Sequence, residues 1–232
     1  MAVTGPVAVI GQAYARVLDE IAAACRAAGR DPGTVRLLPV TKTRSAEAVA
    51  GLMAAGCTRF GENRVQEMAA KAAGLPGATW VLIGHLQRNK VGLACTVMGE
   101  LQSLDSLALA RALEDRYAAT RPAERLPVLV EVNTSGEASK EGVAPEVALG
   151  FTAALRGFPH LDVRGLMTVA HPDPGLAEAG FALLAQLQAR LRDRDGGGWD
   201  ELSMGMSGDY RAAIAHGSTC VRLGTAIFGP RA

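Results

Sequence analysis

Aromatic residues, paired cysteines and charge of one sign are all scarce in this chain of 232 residues. Aromatic residues make up 4%, so a core drawn from its 49% hydrophobic residues must consist mainly of Ala, Val and Leu. The four cysteines (Cys25, Cys57, Cys95 and Cys220) form no C-x-x-C pair. This spacing argues against a zinc site or a disulfide framework and predicts a reducing compartment.

Long apolar runs are also missing. No stretch approaches the roughly 20 apolar residues of a membrane helix, and the N-terminus lacks the charged and apolar segments of a signal peptide. The formal charge of +1 gives no general attraction to nucleic acid or to anionic membranes. We therefore expect a cytoplasmic protein with no nucleic-acid partner, no membrane partner and no metal site.

Short apolar runs alternate with helical patterns along the whole chain, as expected of parallel strands buried on both faces. The runs are 35–41, 58–61, 79–84, 98–103, 127–133, 162–168, 201–205 and 219–224. The helical patterns are 45–55, 63–73, 105–119, 144–155 and 175–194, and an extra helix at 9–28 precedes the first strand. This alternation predicts an α/β fold, a single-domain (β/α)8 TIM-type barrel spanning residues 1–232, with a doubly wound open sheet as the alternative.

A lysine and two glycine-containing turns are expected to meet at one end of such a barrel. Lys42 follows the first strand, Met206 and Ser207 follow the seventh, and Arg222, Gly224 and Thr225 end the eighth. Active sites of barrels form at this face, and phosphate groups often bind between the loops after strands seven and eight. A buried lysine amine beside an anion site suits an aldehyde that carries a phosphate, such as pyridoxal 5'-phosphate.

Three further polar segments have open interpretations. Glu62 and Asn63 either hydrogen-bond a ring hydroxyl or position a lysine, although Asn63 is by itself better explained as a helix cap. His85 is an acid or base, or more simply a hydrogen-bonded structural group. The polar loop at 133–142 is either a lid or a plain surface loop.

Six motifs in order resemble the pyridoxal phosphate homeostasis protein family, which includes bacterial YggS-like proteins and the eukaryotic proline synthase co-transcribed homologue. They are Val-Thr-Lys-Thr at 40–43, Phe-Gly-Glu-Asn-Arg-Val-Gln-Glu at 60–67, Ile-Gly-His-Leu-Gln-Arg-Asn-Lys at 83–90, the segment 131–142, Gly-Leu-Met-Thr at 165–168, and the segment 202–229. The resemblance implies the barrel of alanine racemase standing alone.

The resemblance also implies roles for single residues. Lys42 holds pyridoxal 5'-phosphate as a Schiff base, and Asn63 lies near the ring. Met206, Ser207, Gly224 and Thr225 form the phosphate cradle, while Arg222 faces the pyridine nitrogen. Members of the family store, carry or buffer the cofactor, which makes pyridoxal phosphate-dependent apoenzymes possible recipients. The expected state is a monomer, although the sequence does not distinguish a monomer from a dimer.

Catalysis is expected to be weak or absent. Arg222 offers only hydrogen-bond donors and stays charged, so a pyridine nitrogen facing it must remain unprotonated and the ring is a poor electron sink. The second base of the racemases belongs to a β domain, and only three residues follow the last motif here. The alternative is a pyridoxal phosphate-dependent racemase or lyase, with His85 or Tyr210 as the base. A barrel enzyme for another phosphorylated metabolite is the remaining rival.

Overall fold

Eight parallel strands form the centre of the protein. The structure, a computed structural model, describes residues 6–137 and 139–230. The strands are β1 (Arg36–Pro39), β2 (Arg59–Glu62), β3 (Thr79–Leu82), β4 (Met98–Leu104), β5 (Leu126–Glu131), β6 (Leu161–Met167), β7 (Glu201–Ser203) and β8 (Cys220–Leu223). Hydrogen-bonded neighbours follow the order β1-β8-β7-β6-β5-β4-β3-β2, and a parallel bridge between Val40 and Gly61 joins the two ends. The predicted barrel is confirmed, and the open-sheet alternative is wrong.

Helices follow the strands and surround the barrel. They are α1 (Pro6–Ala27), α2 (Ala46–Ala54), α3 (Val65–Ala72), α4 (Val91–Val97), α5 (Leu107–Thr120), α6 (Ala148–Ala154), α7 (Pro174–Asp195), α8 (Tyr210–Ala215) and α9 (Thr225–Phe228). The extra N-terminal helix α1 packs against α2, α8 and α9. In the part of the chain that the structure describes, no helix has the length and hydrophobicity needed to cross a bilayer.

The core has two parts. The larger part lies between strands and helices, and its bulkiest buried side chains include Phe60, Trp80 and Phe181. A smaller apolar cluster inside the barrel contains Leu38, Val81 and Cys220. Below that cluster, charged side chains at the N-terminal ends of the strands close the barrel, and we call this group the floor cluster: Arg36, Arg59, Glu100 and Glu201.

The predicted strands begin and end within two residues of the observed ones. Ser45 caps α2 as predicted, because its hydroxyl oxygen accepts the Ala48 N–H. The capping prediction for Asn63 is wrong: α3 begins at Val65, its N-cap residue is Arg64, and no side chain caps it. The apolar pattern does not predict helix α4, because the seven residues of this helix span fewer than two turns.

Candidate functional site

A cavity of about 300 Å³ opens at the C-terminal ends of the strands, the face at which barrels place their active sites. Six of the seven residues predicted to hold a cofactor line this cavity: Lys42, Met206, Ser207, Arg222, Gly224 and Thr225. Because β1 pairs with β8, residues from the two halves of the chain meet here. We call this space the mouth cavity.

Lys42 lies in a tight turn between β1 and α2. The Arg44 N–H donates to the Thr41 carbonyl oxygen at 3.0 Å, which closes a four-residue turn with Lys42 and Thr43 at its centre. Thr43 has a φ of 63°, in the left-handed region that β-branched residues rarely adopt. The turn places Lys42, which is half-buried, on the wall of the mouth cavity.

Arg222 supplies a buried positive charge, and its residue is 4% exposed. Its guanidinium donates to the Ser203 hydroxyl at 2.8 Å and to the Thr168 carbonyl oxygen at 2.7 Å. Burial lowers the pKa of Arg222, but an arginine stays charged at neutral pH. Two of its five N–H donors are used on neutral oxygens, so donors remain for an acceptor or an anion in the cavity.

The loop after β7 is joined to the first turn of α9, which follows β8. The Ala226 N–H donates to the Ser207 hydroxyl oxygen at 3.3 Å, and the Met206 N–H donates to the Asp209 carboxylate at 2.5 Å. Ser207 keeps its own O–H as a donor. Gly205 has a φ of 98°, and a Cβ there would lie 2.7 Å from the Ala213 Cβ, so only glycine lets this loop fold back onto α8. The result is a pair of small-residue loops with two hydroxyls, suited to an anion.

Asn63 is the predicted site residue that does not line the mouth cavity. It lines a neighbouring cavity of about 270 Å³, and Ile83 lines both. Gly84 permits this arrangement, because a Cβ there would lie 2.4 Å from the Asn63 carbonyl oxygen. Among the described residues, the buried Oδ1 of Asn63 has no hydrogen-bond partner. An unpaired buried polar atom is uncommon in proteins, so this oxygen is available to a donor that enters the cavity.

The neighbouring cavity also contains a carboxyl group with an unusual environment. Glu131 is 7% exposed, and burial together with the nearby Asp105 carboxylate raises the pKa of Glu131 to about 7. His85 is exposed and its Nδ1 lies 2.9 Å from the Asp105 carboxylate. This pairing agrees with the structural interpretation of His85, which does not line the mouth cavity.

Comparison with known proteins assigns the family. The family model of the alanine racemase N-terminal domain matches residues 17–232. The pyridoxal phosphate homeostasis protein of Pseudomonas aeruginosa is 43% identical to this chain, and the alignment covers 96% of each protein. The chain belongs to the pyridoxal phosphate homeostasis protein family. The resemblance inferred from the six motifs is thereby confirmed.

Solved structures agree with this membership. An unknown protein from Bifidobacterium adolescentis superposes with a TM-score of 0.88 at 39% identity, covering 96% of this chain and 95% of that one. PipY from Synechococcus elongatus, solved with pyridoxal phosphate bound, superposes with a TM-score of 0.77 at 32% identity. That match covers 91% of this chain and all of PipY.

The mouth of the barrel fits the cofactor that the family name implies. Lys42 offers a primary amine, Arg222 lines the cavity with donors left over from its two hydrogen bonds, and Ser207 and Thr225 line the same space. The unpaired Asn63 Oδ1 adds a polar group beside it. The individual roles of these residues stay predictions.

The sequence did not indicate a functional role for two residues near Lys42. Glu67 and Lys71 lie one turn apart on α3, and the Lys71 Nζ lies 2.8 Å from Glu67 Oε1. Such i,i+4 pairs are common on exposed helix faces, so the spacing alone gave no functional signal. Here Lys71 is buried and contacts the turn of Lys42.

Proposed function

We propose that this protein binds pyridoxal 5'-phosphate at the mouth of the barrel, through Lys42, and contributes to its intracellular storage, delivery or buffering. The observation that carries the proposal is the convergence of Lys42, Arg222, Ser207 and Thr225 on one cavity. A cavity of this size, with a few converging polar groups, is typical of small-molecule sites. The pyridoxal phosphate bound to PipY, at 32% identity, supports the same ligand.

Each residue has a distinct task in this proposal. When bound, pyridoxal phosphate supplies an aldehyde that condenses with primary amines. Lys42 provides that amine from the turn after β1. Ser207 and Thr225 donate their hydroxyls to the phosphate from the joined loops, and Arg222 donates to an acceptor at the opposite end of the ligand. Asn63 contributes an amide beside the ring.

We further propose that the protein has little or no catalytic activity. Arg222 presents donors only, so it favours an unprotonated nitrogen opposite it and weakens the electron sink that amino-acid chemistry needs. The two candidate bases do not line the mouth cavity. His85 pairs with Asp105, and the buried Tyr210 donates its O–H to Glu20 at 3.1 Å. Neither candidate for the second base of a racemase or lyase therefore lines the mouth cavity, which supports the proposal.

The cellular compartment, the oligomeric state and the recipients of the cofactor are part of the proposal. The four free cysteines are all buried, which suits the cytoplasm. We expect a monomer that hands its cofactor to pyridoxal phosphate-dependent apoenzymes. Sedimentation of the purified protein, and reactivation of an apoenzyme by the loaded protein, test these two expectations.

The test of the proposed function compares the parent protein with Lys42→Ala. After loading with pyridoxal phosphate and removal of free ligand, the parent should keep one equivalent and show the absorption of a Schiff base, and Lys42→Ala should lose that absorption while keeping its circular dichroism spectrum. Lack of binding by the parent would overturn the proposal. The loaded parent should exchange the α-proton of alanine in deuterated buffer no faster than free cofactor does, and rapid exchange would instead establish the racemase alternative.

A further inference from the structure

The turn that carries Lys42 is held in a conformation that its own sequence disfavours. Thr43 occupies the third position of the turn with a φ of 63°, where glycine is usual and a β-branched residue is strained. The Thr43 side chain is exposed, so packing of that side chain does not offset the strain. Contacts to the turn backbone must therefore hold it in place.

The Arg44 side chain anchors the end of the turn on the Gly229 carbonyl oxygen, and the contacts on both sides of Lys42 itself come from one buried cluster on β2 and α3. The Lys71 Nζ donates to the Thr41 carbonyl oxygen at 2.7 Å, to Glu62 Oε1 at 2.6 Å and to Glu67 Oε1 at 2.8 Å. These three bonds use all three hydrogens of the ammonium group. Lys71 is 7% exposed and Glu62 is fully buried.

The two carboxylates reach the turn as well. The Thr43 N–H donates to Glu67 Oε1 at 2.5 Å, and the Thr41 hydroxyl donates to Glu62 Oε1 at 2.6 Å. The residues immediately before and after Lys42 are thus both bonded to the cluster formed by Glu62, Glu67 and Lys71. We call this group the strap.

We propose that Lys71 is a positioning residue for Lys42, because through the strap it keeps the strained turn in the conformation that presents the Lys42 amine to the mouth cavity. The inference rests on the proposed function for the identity of the ligand, but not for the geometry of the turn. Lys71 does not serve as a second anchor, since all its donors are used.

A purely structural strap and a positioning strap make different predictions. A buried ion cluster that only stabilises the fold would affect the melting temperature, and relief of strain at Thr43 would not restore cofactor binding. If the strap positions Lys42, the affinity for pyridoxal phosphate depends on the conformational free energy of the left-handed backbone at residue 43. Replacing Thr43 by glycine removes that cost, because glycine adopts positive φ freely.

The experiment uses Lys71→Met, Thr43→Gly and the double variant in the full chain, with Lys90→Met as the matched control. Lys90→Met is the same substitution at another lysine near the barrel mouth, and Lys90 forms no ion pair among the described residues. Circular dichroism first establishes that each variant is folded. If Lys71→Met does not fold, Glu67→Ala replaces it, since this change removes only the strap contact to Thr43 and half of the Lys71 pairing.

We expect Lys71→Met to weaken pyridoxal phosphate binding on the order of tenfold, which corresponds to one strained residue. The double variant should return to within about threefold of the parent while its melting temperature stays low, and Lys90→Met should bind as the parent does. Parent-like binding by Lys71→Met, or a double variant as weak as Lys71→Met, would overturn the inference.

A second measurement in the cofactor-free protein separates this inference from the proposed function. Acetic anhydride labelling of Lys42, followed by peptide mass spectrometry, reports the reactivity and accessibility of its amine without any ligand. The labelling rate at Lys42 should change at least threefold in Lys71→Met and return in the double variant, with the rate at Lys140 constant. An unchanged rate at Lys42 contradicts the strap even if the parent binds no pyridoxal phosphate.

Discussion

The two ends of the barrel both bury glutamates, but they treat them in opposite ways. At the floor, Glu100 is 2% exposed, and although burial favours its neutral form, Arg36 and Arg59 hold its pKa below the ordinary value. At the mouth, burial raises the pKa of Glu62 despite hydrogen bonds from Lys71 and Thr41. Burial likewise raises the pKa of Glu131 to about 7.

The difference indicates a division of labour between the two ends. Floor charges are matched by fixed partners: Arg36 bonds Glu100 at 2.9 Å and also Glu201, while Arg59 bonds Glu100. Among the described residues unpaired buried atoms occur at both ends, Arg59 Nε at the floor and single oxygens of Asn63 and Glu62 at the mouth. The difference lies in the carboxyl groups, because the pKa of Glu100 is lowered by its arginine partners whereas burial raises the pKa of Glu62 and of Glu131. Barrels generally place stability at the bottom face and activity at the top. Changes at the floor should therefore alter stability, and changes at the mouth should alter binding.

The largest expected effect is at the floor. Glu100→Gln leaves Arg36 and Arg59 without their shared carboxylate, and removing one partner of a buried ion pair costs about 3 kcal/mol when the other charges keep some access to water. Urea unfolding should show this loss. Affinity of the folded protein for pyridoxal phosphate should stay within twofold of the parent, and a large change in affinity would break the division between the two ends.

The next effect is at the mouth. Ser207→Ala combined with Thr225→Val removes two hydroxyl donors, each contributing about 0.5–1.5 kcal/mol net. Affinity for pyridoxal phosphate should fall roughly tenfold or more, whereas unfolding by urea should barely change. Pyridoxal without its phosphate is the internal control. If both ligands weaken equally, these hydroxyls do not contact phosphate.

The smallest effect concerns the pH dependence caused by Glu131. Its pKa is raised in the folded state, so the folded protein binds a proton that the unfolded chain has released, and stability falls as pH rises from the unfolded pKa towards about 7. Between pH 6 and pH 8 the loss is about 1 kcal/mol. The charged groups near Glu131 are Asp105, Glu141, Arg222 and His85.

Glu131→Gln isolates this contribution, since it keeps the shape of the side chain and cannot titrate. Between pH 6 and pH 8 the free energy of unfolding of the parent should fall, and that of Glu131→Gln should fall by about 1 kcal/mol less. Glu201→Gln, which removes a floor carboxylate at the start of β7, serves as the control for the loss of a carboxyl group as such. Parallel profiles for the parent and Glu131→Gln would show that this carboxyl group is ionised throughout the range.

Much of the barrel and of its mouth could be predicted from the sequence. Short apolar runs in the sequence predict buried parallel strands, and the residue that follows each run lies at the mouth once the barrel closes. Lys42, Met206 and Thr225 were located by that rule alone. For Asn63 the residues alone left a helix cap and a contact to the ring open, and the family motifs implied a place near the ring. The structure places Asn63 beside the mouth cavity and not on its wall.

The contacts around Lys42 could not be predicted in the same way. The role of Lys71 depends on α3 packing so that its ammonium group reaches the Thr41 carbonyl oxygen, 30 residues earlier in the chain. The positive φ of Thr43 is equally invisible, because threonine normally signals extended backbone. The pKa of Glu131 depends on burial and on Asp105, which comes from the segment after β4.

The most direct test of the account is to map where the cofactor attaches. The parent protein is loaded with pyridoxal phosphate, reduced with borohydride, digested and analysed by mass spectrometry. We expect one pyridoxyl phosphate group per chain, on the peptide that contains Lys42. A label on Lys71, Lys90 or Lys140 in place of Lys42 would contradict the assignment of the mouth cavity as the binding site.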